Sequence, residues 1–232
     1  MGRSPVGIMP LVKLPVKVYL TMPLLKICHN GPYDAWAVWE VKEDEDFFSG
    51  ELPQCDRCPE DIRFPAKRIE WTAGRFLVKY LFNTCGMDYR GLRKDESGKP
   101  FPVESDAQVA ISNSLPYIAV QVHESAPVGI DIEKPRKNIK MVMDRILSRP
   151  ERGDAGTDRR KMMIYWCAKE AMFKIHGRRG VIFSKELRVR PFQRSGSGTV
   201  DGTIAAGGRE TKVKLDYLQQ SGFTLVTTNT TP

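Results

Sequence analysis

Long apolar runs are missing from this sequence. Its most apolar stretch, residues 1–25, is broken by Pro5, Pro10, Pro15 and Pro23 and by Lys13 and Lys17, which interrupts any signal-peptide core. No run elsewhere is long enough to span a bilayer. Val6 stands where a myristoylation signal after Gly2 needs Ser or Thr. A cytoplasmic protein with no membrane partner is expected. Histidine is scarce, with three in 232 residues. His29 lies near a loop, His123 ends a strand and His176 ends a helix, so none is assigned a catalytic role. The cysteines, Cys28, Cys55, Cys58, Cys85 and Cys167, number five, an odd count that argues for free thiols. Cys55-Asp56-Arg57-Cys58 has half a zinc-site spacing, but no second Cys or His pair at a matching distance completes it. Unless Cys28-His29 is recruited through the fold, it reads as two thiols in a loop. Zinc fingers, recognition helices and aromatic-and-basic RNA motifs are also lacking, and acidic runs interrupt the basic ones, which disfavours a nucleic-acid partner.

What is present is an ordinary folded composition, 41% hydrophobic and 28% charged, with a formal net charge of +8. That length and composition suffice for one large domain or two halves sharing an interface. The charge favours an anionic partner, whether a phosphate-rich small molecule or an acidic protein.

Alternation predicts strands at 11–20 and 35–41, with a loop and at most a short helical turn over 50–66. A helix is expected over Arg68 to Phe82, where Ile69, Ala73, Phe76, Leu77, Tyr80 and Leu81 form a buried stripe. On another face Arg68, Thr72, Arg75 and Lys79 line up, and alone they read as solvated. Gly98-Lys99-Pro100 is turn chemistry. Tyr117 to His123 alternates as a strand, and four residues later Val128-Gly129-Ile130-Asp131-Ile132-Glu133 does so again, which predicts an antiparallel hairpin. Val128, Ile130 and Ile132 share one face. Gly129, Asp131 and Glu133 share the other, the two carboxylates about 6.5 Å apart on a fixed backbone. That is either a charged sheet surface or half of a metal site.

A short helix near 138–147 follows, then a Pro-, Gly- and charge-rich stretch, 148–160, expected as a mobile loop. A second strong helix is predicted from Lys161 to His176, ended by Gly177. Met163, Trp166, Cys167, Glu170 and Lys174 fall on its core-facing stripe. A carboxylate there needs a partner or a metal. Trp166 itself reads as a core tryptophan. Short strands fill the remainder, and the tail from Thr228 is expected to fray.

Together, Gly129-Ile130-Asp131-Ile132-Glu133 and the later Trp166-Cys167-Ala168-Lys169-Glu170-Ala171-Met172-Phe173-Lys174 resemble the signature of the 4'-phosphopantetheinyl transferase superfamily. Gly98-Lys99-Pro100 is similar to its G-K-P loop, Leu147-Ser148-Arg149-Pro150-Glu151 to its F-S-x-x-E segment, and Arg68 to Arg75 to the arginine-bearing helix of its longer members. The likeness runs from about Arg68 to Arg190. It implies an α+β fold of two similar α/β halves packed pseudo-symmetrically, each an antiparallel sheet with a long helix. Residues 1–125 would contact coenzyme A phosphates, and residues 126–232 would hold the magnesium site and catalytic helix. The implied activity is transfer of the phosphopantetheine arm of coenzyme A to a serine of an acidic apo carrier protein of fatty-acid, polyketide or nonribosomal-peptide type, by a monomer. Asp131, Glu133 and Glu170 are the implied ligands of magnesium, or manganese in its place. Glu170, Lys174 and Asp131 are the implied catalytic residues, and Arg68, Arg75, Lys99, Ser112, Asn113, Ser114 and Lys174 the contacts to coenzyme A. Arg152, Arg159 and Arg160 are candidates to touch the carrier. One departure stands out: the family places Ser-His-Ser where this chain has Ser112-Asn113-Ser114. Loss of that charge keeps open a non-catalytic binder of coenzyme A or carrier.

Overall fold

The computed structural model describes residues 24–177 and 180–230; the strand expected at 11–20 lies outside them. The described chain opens with the hairpin β1 (Leu24–Gly31) and β2 (Asp34–Glu40). Ala35, Ala37 and Trp39 bury one face of β2 and Trp36 and Val38 the other, so β2 must be covered on both sides. Helix α1 (Glu45–Ser49) starts where the Asp44 side chain accepts from Phe47 N. A single 3-10 turn at Gln54–Asp56 precedes α2 (Pro65–Thr84), whose proline sits in the first turn, where no N–H is needed. β3 (Leu92–Lys94) and β4 (Pro100–Pro102) flank the turn at Gly98, whose φ of +90° suits glycine. β5 (Gln108–Ser114) and β6 (Tyr117–His123) complete a four-stranded antiparallel sheet of order β1-β2-β6-β5. Helix α2 packs on it through Phe76, Leu77 and Leu81, against Trp39 and Val120. Each such side chain contributes about 1.5–3 kcal/mol.

The rest of the chain builds around α5. β7 (Ile130–Glu133), α3 (Ile139–Ile146), α4 (Arg149–Ala155), α5 (Arg159–His176) and α6 (Phe183–Glu186) lead to β8 (Leu187–Val189), β9 (Ser197–Ala206), β10 (Arg209–Gln219) and β11 (Thr224–Thr228). The strands form a five-stranded antiparallel sheet of order β7-β11-β10-β9-β8. Helix α5 is capped by Asp158 and ends at Gly177 in the left-handed conformation, as the sequence suggested. Ile164, Cys167, Ala168 and Met172 bury it against Leu187, Leu215 and Val226. Between the sheets, Trp36, Val38, Ala110 and Ala119 meet Val128, Ile130, Ile132 and Leu225. Among the described residues no helix is long and apolar enough to cross a membrane.

The α+β class with antiparallel sheets stands, and four local expectations change. β6 and β7 are not a hairpin: both edges of β6 are taken by β2 and β5, so β7 pairs with β11 in the other sheet. The stretch 148–160 is not a loop throughout. Ser148 and Glu151 form a reciprocal capping box that starts α4, with Pro150 in its first turn. The cationic face of α2 is not solvated: Thr72 and Arg75 are buried. Thr228 is not frayed, because its backbone exchanges hydrogen bonds with the buried Gln121 side chain, at 2.7 and 3.0 Å.

Candidate active site between a strand edge and a helix

Alternation decides what β7 presents. Ile130 and Ile132 are fully buried in the apolar layer between the sheets, which turns Asp131 and Glu133 the other way, toward α5. The helix approaches that face closely because residue 129 is glycine: a Cβ there would lie 2.1 Å from the Ala171 carbonyl oxygen. Gly129→Ala is therefore expected to lower stability by about 1–3 kcal/mol, read as an earlier midpoint in urea unfolding.

At this contact Lys174 Nζ donates to Asp131 Oδ1 at 2.9 Å and to Ile130 O at 2.8 Å. Asp131 is 4% exposed, and its Oδ2 is buried without a hydrogen-bond partner. Glu133 Oε1 accepts from Arg136 Nη2 at 2.6 Å and from Trp166 Nε1 at 3.3 Å. Trp166, expected in the core, thus sits at the carboxylates with its indole N–H in use. Glu170 lies within electrostatic reach of both acids. Burial first, then the Asp131 charge, push its carboxyl up to about 7. Burial and the same two carboxylates hold the Cys167 thiol well above its ordinary value, so it stays protonated.

Ser112, Asn113 and Ser114, expected as contacts to coenzyme A, lie in strand β5, and the period of two divides them. Ser112 Oγ donates to Asp131 Oδ1 at 2.8 Å and accepts from Ile132 N; Ser114 Oγ donates to Glu133 Oε2 at 3.2 Å and accepts from Lys134 N. The two serines stitch the edge of one sheet to the acid-bearing edge of the other. Asn113 is exposed and lines a cavity of about 440 Å³ with Lys67, Trp71, Arg75 and Lys94.

That cavity shares Gly98, Pro100 and Ile111 with a second, of about 210 Å³, which Lys99, Phe173 and Lys174 line. The pair of hollows thereby leads from the Gly98-Lys99-Pro100 turn to Lys174. Its cations are crowded. Burial holds Lys99 below its ordinary value, and burial and Arg75 do the same to Lys94. Crowded, desolvated cations are relieved by an anion. Arg75 stacks 3.4 Å from the Trp71 ring centroid, with Lys94 at 4.7 Å, while buried Trp71 Nε1 has no acceptor. Arg75 is fixed from behind by fully buried Asp56, which also accepts from Tyr89 and from Leu92 N. Arg68 lines neither cavity; its guanidinium is bidentate to Glu45 and bonded to the Pro59 and Ile62 carbonyls.

Sequence reasoning missed Trp71 and Lys94, for which an aromatic one helical turn before Arg75 was the available signal. It also missed Arg136. Among the described residues no group of three or more His, Cys, Asp or Glu is placed to hold a metal ion as it stands. Lys174 holds Asp131 Oδ1 and Arg136 holds Glu133 Oε1. The donor set nonetheless suits a hard cation in kind: Asp131 and Glu133 on β7 and Glu170 on α5 lie within electrostatic reach of one another, and the unpartnered Asp131 Oδ2 is a desolvated acceptor.

No curated protein matches the chain. A sequence model of the 4'-phosphopantetheinyl transferase superfamily matches residues 127–224, the stretch that carries Asp131, Glu133, Trp166, Lys169, Glu170 and Lys174. Residues 127–224, in which a strand with two acids lies against a helix with Glu170 and Lys174, are thus the part of the chain that is similar to the 4'-phosphopantetheinyl transferase superfamily.

Proposed function

We propose that the protein transfers the 4'-phosphopantetheine arm of coenzyme A to a serine hydroxyl of an acidic apo carrier protein, releasing adenosine 3',5'-bisphosphate. The observation that carries this reading is that Asp131, Glu133 and Glu170 lie within electrostatic reach of one another, while Lys174, which pairs with Asp131, also lines the hollow beside Lys99. Residues 1–125 contribute Arg75, Lys94, Lys99 and Asn113 to the phosphates of coenzyme A, and residues 126–232 contribute the acids and Lys174.

In transfer, the serine oxygen forms a bond to the β-phosphorus as the bond from that phosphorus to the bridging oxygen breaks. The serine proton leaves to a base, and the adenosine bisphosphate leaves with the bridging oxygen. Asp131, Glu133 and Glu170 would hold magnesium, or manganese in its place, which when bound offsets pyrophosphate charge. Lys174, fixed by the Ile130 carbonyl, offers a cation to charge developing on the pyrophosphate. Glu170, the carboxyl on α5 within electrostatic reach of both acids of β7, accepts the proton. Ser112 and Ser114 orient Asp131 and Glu133.

The test is intact-mass spectrometry of an apo carrier incubated with the protein, coenzyme A and magnesium. A gain of one phosphopantetheine per carrier is expected, and it is expected to vanish with Asp131→Ala. The second reading, a non-catalytic binder, is favoured by exposed, uncharged Asn113 in the cavity wall. Coenzyme A binding by the folded protein with no transfer to several carriers would establish it instead.

A further inference from the structure

We propose that Arg136 is a latch through which docking of the acidic carrier completes the cation site, a proposal that rests on the transferase reading above. Arg136 faces two ways. On one side Nη2 donates to Glu133 Oε1 at 2.6 Å, and the guanidinium lies 5.2 Å from the Trp166 ring centroid. On the other it lines a groove of about 310 Å³ with Lys137, Arg159, Arg160 and Ser221, which contains no Asp or Glu. The Arg136 side chain is 45% exposed and that of Glu133 15%, so the arginine can exchange its partner while the acid cannot turn to solvent.

A carboxylate of an acidic partner entering the groove competes with Glu133 for this guanidinium. When Arg136 turns to it, Glu133 keeps the hydrogen bonds from Trp166 Nε1 and Ser114 Oγ, which hold it beside Asp131 and Glu170. Its charge then becomes available to a cation. The free protein thereby spends part of its acid set on an internal ion pair, consistent with no ready-made metal cluster among the described residues. Carrier binding and cation binding become thermodynamically linked, each strengthening the other by one factor. The groove's four cations commit the occupant to an acidic face; Lys137, Arg159 and Arg160 supply attraction, and Arg136 supplies the coupling.

The test measures free Mn²⁺ by electron paramagnetic resonance, with the full chain, with and without an apo carrier whose acceptor serine is replaced by alanine. Arg136→Gln is expected to bind Mn²⁺ about fivefold more tightly than the wild type in the absence of carrier, the size of a partly exposed ion pair. Carrier is expected to tighten Mn²⁺ binding to the wild type by a similar factor and to leave Arg136→Gln unchanged. Lys137→Gln removes the same charge from the groove without touching Glu133 and is expected to match the wild type, while Arg136→Lys restores the coupling in part. Equal affinities for wild type and Arg136→Gln, or an equal gain in Lys137→Gln, overturn the latch. An equal effect of a single-stranded oligonucleotide at matched ionic strength overturns the commitment to a carrier. Transfer to the intact carrier, measured alongside, separates the two claims: transfer with no coupling ends the latch alone. Neither transfer nor Mn²⁺ binding by the folded protein ends both.

Discussion

Lys169→Ala is expected to cost about 3–5 kcal/mol of folding stability, the largest loss of any single substitution considered for this chain. Lys169 is fully buried, and its Nζ donates to Glu151 Oε2 at 2.8 Å, to Phe183 O at 2.9 Å and to Leu187 O at 2.5 Å. Burial pushes its ammonium below the ordinary lysine value, and Glu151 offsets part of that. Glu151, 2% exposed, is saturated in turn: its Oε2 also accepts from Ser148 N and its Oε1 from Val189 N. This one ion pair therefore ties the start of α4, the body of α5, the start of α6 and the edge strand β8 together. Removing the lysine leaves an unpaired carboxylate in a dry site and two carbonyls without donors. Lys169→Met, which keeps the volume, is expected to be nearly as damaging, because the loss is electrostatic. Combining it with Glu151→Gln should recover part of the deficit. Urea unfolding of the two single variants and the double reads the coupling directly; additive losses would mean that the pair does not act as a unit.

The pair also shows what sequence can and cannot disclose. Lys169 and Glu151 both fall in the motif segments, yet nothing in either segment says that one neutralises the other, since they meet only when α4 folds back on α5. The helices α2 and α5 were legible because their apolar positions recur over several turns, and β7 because its period of two is clean. The partner of β7 was not. Tyr117 to His123 and Val128 to Glu133 look like consecutive strands of a hairpin, but pairing depends on which edges are open, and β2 and β5 close both edges of β6. Helix α4 was legible in principle, since Ser148 and Glu151 have capping-box spacing; its Pro and Gly content masked that signal. The row Arg68, Thr72, Arg75 and Lys79 looked solvated because its partners, Glu45, Asp56 and the Glu51 carbonyl, come from α1 and the loop after it. Within the candidate site the acids stood out by their placement on a strand face and a core-facing helix stripe, while their roles and that of Lys174 came from the resemblance. The division of Ser112 and Ser114 from Asn113, and the two roles of Arg136, follow from sheet edges that only the fold brings together.

Glu170→Gln is expected to trade activity for stability, and the two halves of the trade fix its role. A carboxyl whose value rises from 4.5 to about 7 on folding binds a proton more tightly in the native state. Its stabilising contribution is complete below pH 4.5 and is lost as pH rises through about 7, by at most about 3 kcal/mol. In metal-free buffer the wild type should therefore lose thermal stability across that window, while Glu170→Gln should hold a flatter profile and be the more stable protein at pH 8. Added magnesium should restore the wild type at pH 8 and do little for the variant, because the glutamine offers the cation no charge. Transfer should fall by about 10²–10⁴ in the variant, the range for loss of a general base. A stability gain with transfer intact would place Glu170 outside the chemistry. Loss of transfer with an unchanged pH profile would instead mean that burial and the neighbouring acids do not raise the Glu170 carboxyl, and its part in the chemistry would rest on its negative charge alone.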